Sequence, residues 1–217
     1  MIWYNTYIYK ADGQEGCMKE RESNVLSLLE DRTNHYSRKI ALGMKTQFGW
    51  KELTYDGLGL MSRRLAAYLM NDLGLQKGEK LAILSESKPE YGACVFASVI
   101  SGLITVPLDI KLTKYELQSI LSDCLPSVML VSQSYIDKAL ELQKLIPSLK
   151  HIIVMDEHPV NDDLQSIYTI PNNYTCKWRH RSSKSTVFII YTSGTTGKPK
   201  GVETTFGNML AQLNGLK

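Results

Sequence analysis

Eight residues near the end of the chain have types and spacing suited to holding phosphate. In "YTSGTTGKPKG", Tyr191 to Gly201, the hydroxyls of Thr192, Ser193, Thr195 and Thr196 can donate hydrogen bonds. Lys198 and Lys200 add positive charge on flexible stems. Gly194 and Gly197 let the backbone turn sharply and approach a ligand, so that successive N–H groups can form an anion-binding concavity. The spacing excludes a Walker A loop. Only Thr195 and Thr196 separate Gly194 from Gly197, and Pro199 follows Lys198. Pro199 also disfavours a helix through Lys198, so the anion would be held by a loop between strands. A Gly/Ser/Thr-rich surface turn has the same composition, but fits less well with two lysines bracketing Pro199 behind an apolar run.

Other candidate chemistry is sparse. The four histidines form no HxxxH pair, and no two of Cys17, Cys94, Cys124 and Cys176 lie at metal-ligand spacing, so no metal site is assigned. Cys94 and Cys124 sit in apolar surroundings and read as packed, reduced thiols. The basic cluster "KWRHRSSK", Lys177 to Lys184, could face a phosphate-bearing partner or anionic lipid, but reads first as a solvated linker.

The elements that must position the loop alternate. A helix is expected through "VLSLLEDRTNHY", with Asn24 as its cap, then extended segments "KIALG" and "WKELTY". Leu58, Met61, Leu65, Leu69 and Leu73 recur at spacings of three and four, one apolar helix face, which Gly74 would close. Strand "KLAILS", helix "PEYGACVFASVISG" and strand "LITVPLD", ending at Pro107, follow. Next come a helix capped by Thr113 with Glu116 completing a capping box, strand "SVMLVS", helix "YIDKALELQKLI" and strand "KHIIVMD". From 157 to 184 the period is lost, and a linker or surface excursion is expected. "STVFIIYT" then gives one more buried strand, directly before the loop; "GVETT" is extended, and Thr205 would cap a last helix. Alternating strands and helices predict an α/β fold with a mostly parallel sheet and flanking helices. Ligands in such folds bind beyond the carboxyl ends of the strands, where this loop would lie.

Composition limits the partners. The chain has 217 residues, 43% hydrophobic and 22% charged, with a formal net charge of +3, too small to argue for nucleic acid. "MIWYNTYIYK" lacks the layout of a signal peptide, and no apolar run approaches the roughly 20 residues of a membrane span. A cytoplasmic protein is expected, with peripheral membrane contact left open.

"IIYTSGTTGKPKGV" resembles the signature of the AMP-forming, adenylate-producing superfamily: acyl-CoA synthetases, adenylation domains of nonribosomal peptide synthetases and firefly luciferase. "LTYDGL" is similar to its early "TYxEL" element, with Gly57 where Glu is usual. Gly102, Pro107, Leu108 and Asp109 match its "AG…VPLDP" segment, with Ile110 departing from Pro. The wording "SESKPEY" and "PLDIKLT" leans toward bacterial long-chain fatty acyl-CoA ligases.

The resemblance implies the N-terminal part of the large domain of such an enzyme. It implies that a carboxylate, expected to be a fatty acid, attacks ATP to give an acyl-adenylate and pyrophosphate. CoA then takes the acyl group. It further implies that Thr192 to Lys198, with Lys200, cradle the β- and γ-phosphates with Mg²⁺ sharing the charge. Phe206 stands where the family usually has histidine, and the later "YGxTE" and "TGD" motifs do not occur before Lys217, so no catalytic residue is assigned. The expected organisation is an N-terminal extension over 1–23 and an incomplete AMP-binding domain over 24–217, without the small C-terminal domain. The rest of the same enzyme would then be its partner. The alternatives are a non-catalytic phosphate-binding module or decayed gene product, and an adenylating enzyme for an aryl or amino acid.

Overall fold

The computed structural model describes residues 25–157, 163–172, 179, 181–192 and 199–215, with side chains left out at 25–30 and 213–215. The expected cap Asn24 lies outside these. Helix α1 spans Val25–Tyr36. Strands β1 (Ile40–Thr46) and β2 (Gly49–Thr54) form an antiparallel hairpin of their own. The expected extended segments are therefore partners of each other and not members of the main sheet.

Helix α2 (Tyr55–Asn71) starts at Thr54, whose hydroxyl accepts from the Gly57 N–H. It buries Leu58, Met61, Leu65 and Leu69, as their spacing requires. Its C-cap is Asp72 rather than Gly74. Gly74 lies beyond, with φ +63°, in the turn that lets the Leu75 N–H reach the Leu69 carbonyl at 3.0 Å.

Strand β3 (Lys80–Leu84), helix α3 (Pro89–Ser101), strand β4 (Ile104–Leu108) and helix α4 (Lys114–Cys124) follow. Pro89 opens α3, and Gly102 closes it at φ +79°. The Thr113–Glu116 capping box forms as expected. Strand β4 runs past Pro107 to Leu108. The Ile104 N–H bonds toward β3, at Glu79 O, so alternation turns the position of Pro107 away from β3, where its missing N–H breaks no bond to that strand. Strand β5 (Val128–Val131), helix α5 (Ile136–Leu145) and strand β6 (His151–Val154) complete the alternation.

The segment expected to be a linker is partly structured. Strand β7 (Gln165–Ser166) joins β6, and Ile167 and Ile170 are buried. Arg64 of α2 holds this segment, donating to Ile167 O at 2.7 Å and Asn172 Oδ1 at 2.6 Å. Strands β8 (Thr186–Thr192) and β9 (Lys200–Thr205) and helix α6 (Phe206–Gly215) end the described chain.

The sheet order is β7-β6-β5-β3-β4-β8-β9, parallel except for the β8–β9 pair. Side chains alternate between its faces. Leu81, Ile83, Val128, Leu130 and Ile153 pack under α2 and α3. Ala82, Leu84, Met129, Val131 and Val154 pack under α4 and α5. Burial on both faces explains why these strands are uninterrupted apolar runs.

Candidate functional site: a hairpin mouth at the carboxyl ends of the strands

Two of the phosphate-suited residues, Thr192 and Lys200, fall at one end of a β-hairpin. Strands β8 and β9 pair antiparallel with Tyr191 opposite Gly201 and Thr192 opposite Lys200. Both Thr192 and Lys200 are exposed. Ser193, Gly194, Thr195, Thr196, Gly197 and Lys198 lie outside the described residues, between these two flanks. Pro199 is followed at once by β9, so Lys198 stands between two strands along the chain. Since β8 is parallel to β4, the mouth opens at the carboxyl end of the sheet.

The base of the mouth is anchored. The Tyr191 hydroxyl donates to Asp123 on α4. Burial, and then this bond, push the phenol pKa up, so the group stays a neutral donor. A Cβ on Gly201 would come within 2.8 Å of Ile189 Cγ2 and 3.1 Å of Tyr191 Cζ. Gly201 is thus required by the close approach of its neighbours, with no positive φ involved.

One expectation about this region changes. Strand β8 was expected to be buried, yet along it only Val187 is fully so, and Ile190 is 46% exposed beside its partner Val202. Phe206, in the family's histidine position, is buried with Val99 and Val187. It serves packing, and no polar role remains for it. Thr205 caps α6 as expected, accepting from the Asn208 N–H at 3.2 Å.

Sequence reasoning missed a charged rim at the same end of the sheet. Lys88, after β3, is buried and paired to Asp156, after β6. Asp156 also accepts from the Gln133 N–H at 2.7 Å, and Ser132 donates to Glu86. On α3, Glu90 is 1% exposed and meets both Lys51 of β2 and the Tyr168 hydroxyl. Polar residues directly after each apolar run, in "AILSESK", "LVSQS" and "IVMDE", were the available signal. The paired charges lock the strand ends together. The thiols take no part: burial raises the Cys94 pKa, and pushes that of Cys124 up to about 12. Among the described residues no group of three or more His, Cys, Asp or Glu could hold a metal ion.

The family model "AMP-binding enzyme" matches residues 29–217. The chain belongs to the AMP-binding enzyme family. The family read from "IIYTSGTTGKPKGV" is therefore the one found. The human long-chain-fatty-acid–CoA ligase ACSBG1 is 30% identical over 88% of this chain and 27% of its own length. The crotonobetaine/carnitine–CoA ligase of Escherichia fergusonii is 29% identical over 86% of this chain and 37% of its own length. The chain thus spans about a quarter to two fifths of these relatives. Among solved structures, the anthranilate CoA ligase AuaEII, in complex with anthranoyl-AMP, superposes with a TM-score of 0.76 at 26% identity, covering 89% of this chain and 37% of that one. The acetoacetyl-CoA synthetase of Streptomyces lividans superposes at 0.77 with 17% identity, covering 87% and 31%, a likeness of fold alone. No helix among the described residues is long and apolar enough to cross a membrane.

Proposed function

We propose that the hairpin mouth holds the β- and γ-phosphates of ATP, and that this chain carries the phosphate-binding part of an AMP-forming carboxylate–CoA ligase. One observation carries the reading. The family match extends across a segment of hydroxyls, glycines and lysines whose flanks, Thr192 and Lys200, face each other at the carboxyl end of the sheet. The donor set suits a polyphosphate: Thr192, Ser193, Thr195 and Thr196 donate hydrogen bonds, Gly194 and Gly197 allow close backbone approach, and Lys198 and Lys200 offset negative charge. Mg²⁺ would come with the nucleotide and share that charge.

In this reading a carboxylate attacks the α-phosphorus, the acyl-adenylate forms and pyrophosphate leaves. The chain's residues hold and screen the leaving group, which is positioning plus electrostatic stabilisation. CoA thiol then takes the acyl group and releases AMP. A fatty acid is the favoured carboxylate, supported by the name of the human relative, while AuaEII keeps an aryl acid as the competing choice.

Calorimetric titration of the chain with pyrophosphate and with Mg-ATP tests the reading. Saturable binding is expected, lost in Thr195→Ala/Lys200→Ala. No binding by the parent chain, or equal binding by the double variant, would remove the loop from this role.

A further inference from the structure

Arg181 belongs to the basic cluster expected to be a solvated linker, yet it is 4% exposed. Its Nη1 donates to the carbonyl of Thr186, the first residue of β8, at 2.7 Å. Its Nη2 donates to the carbonyl of Leu103, just before β4, and to Ser98 O on α3 at 3.4 Å. One planar guanidinium therefore ties together three elements. Arg179 strengthens the same seam. Its N–H bonds to Ile100 O at 3.0 Å, and its Nη1 reaches Leu75 O at 2.7 Å and Ser101 O at 3.3 Å. The carbonyls of Ile100 and Ser101, at the negative end of α3 where a helix leaves such groups without internal partners, thus receive donors from Arg179, the second of them cationic.

The seam lies where the sheet is least regular. Strand β4 pairs with β3 from Lys80↔Ile104 to Leu84↔Leu108, but with β8 only at Thr105↔Phe188. Ladder hydrogen bonds alone specify the place of β8 weakly. Burying a charged group is costly, and here three carbonyls offset that cost through charge-assisted bonds. A lysine could not reproduce the fork, because its ammonium is a point donor group.

We propose that Arg181 is a positioning residue for the phosphate loop. Its guanidinium fixes the entry of β8 against β4 and α3, and so sets where the mouth between Thr192 and Lys200 stands. The consequence for phosphate rests on the function proposed above; the clamp itself does not.

The test uses the whole chain, with Arg181→Ala and Arg181→Lys, read by pyrophosphate titration and by amide hydrogen exchange. The alanine variant should bind pyrophosphate about tenfold or more weakly, as misplacement of a binding group implies. Exchange in β8 and β9 should accelerate while β3 and β5 keep their protection. Millimolar guanidinium, far below denaturing concentrations, should restore both by refilling the carbonyl-lined space. The lysine variant should not recover. Should the alanine variant fail to fold even with guanidinium, Arg181→Gln, which keeps two N–H donors, is measured in the same way. Uniform loss of protection across the sheet, or parental binding with unchanged exchange, would overturn the proposal. If the parent chain binds no pyrophosphate, the functional reading fails, and the exchange pattern alone decides the clamp.

Discussion

The two sides of the main sheet are built differently. On one side β3, β5 and β6 pair along their full length, and their side chains fill two large apolar layers. On the other, β8 meets β4 at one registered pair, and the apolar cluster there is small, with Val99, Val187 and Phe206 as its buried members. Side-chain ties take over: Arg181 to the starts of β4 and β8, and Tyr191 to Asp123. The difference separates two tasks. A regular, doubly covered ladder supplies stability, whereas Thr192 and Lys200 sit in a region whose placement depends on a few polar contacts. Low-stability segments that can adjust are where ligand-binding loops are commonly found.

The contrast is broken most directly by core truncation. Leu130→Ala, at a fully buried site in β5, should cost about 2–5 kcal/mol, whereas Val187→Ala in β8 should cost about 1–2 kcal/mol. Urea midpoints measure both, and equal losses would erase the distinction. Lys88→Met tests whether the rim reinforces the ladder side. It strips Asp156 of its cation but leaves the Gln133 N–H, so a loss of about 2 kcal/mol is expected, reduced from a fully buried pair because Asp156 is partly exposed.

Gly201→Ala acts on the weaker side. The added methyl must displace Ile189 and Tyr191, at about 1–2 kcal/mol, and pyrophosphate binding should fall with it. Stability and binding both unchanged would mean that the mouth tolerates movement. Thr113→Ala removes the capping box of α4, the helix that carries Asp123, for about 1 kcal/mol in the same denaturation experiment.

The smallest effect concerns pH. Glu79 links the start of β3 to Ser127 before β5. Burial pushes its pKa up, but hydrogen bonds from Ser127 and the Gln76 N–H outweigh this, so the folded value lies below the ordinary one. The stability it contributes is present above the unfolded pKa of about 4.3 and is lost as pH falls through the folded value. Because Glu79 is only partly buried, solvent screens the group and the loss should be small. Glu79→Gln should remove this part of the acid dependence, and an identical pH profile for the variant would refute the assignment.

Much of the architecture was legible because it is encoded locally. The three-and-four spacing from Leu58 to Leu69 fixed the buried face of α2, and the Thr113–Glu116 pair fixed the start of α4. The excursion after β6 was less legible, since a two-residue strand and two buried isoleucines make no period. Of the candidate site, its two flanks are described. The rim was signalled only by polar residues after each strand, and their pairing partners are far apart in sequence.

By itself the sequence determined the types and order of the elements outside the excursion after β6, the chemistry available to the segment from Thr192 to Lys200, and the family. Those follow from side-chain periodicity, caps and residue identity at fixed spacing, all properties of neighbouring positions. Only the tertiary structure decided that β8 is largely half-exposed, that Phe206 serves the core, and that a basic cluster is partly buried. The physical reason is distance along the chain. Arg181 finds its carbonyls at Ser98 and Leu103, some eighty residues away, and a cationic side chain looks solvated until the fold brings those acceptors to it.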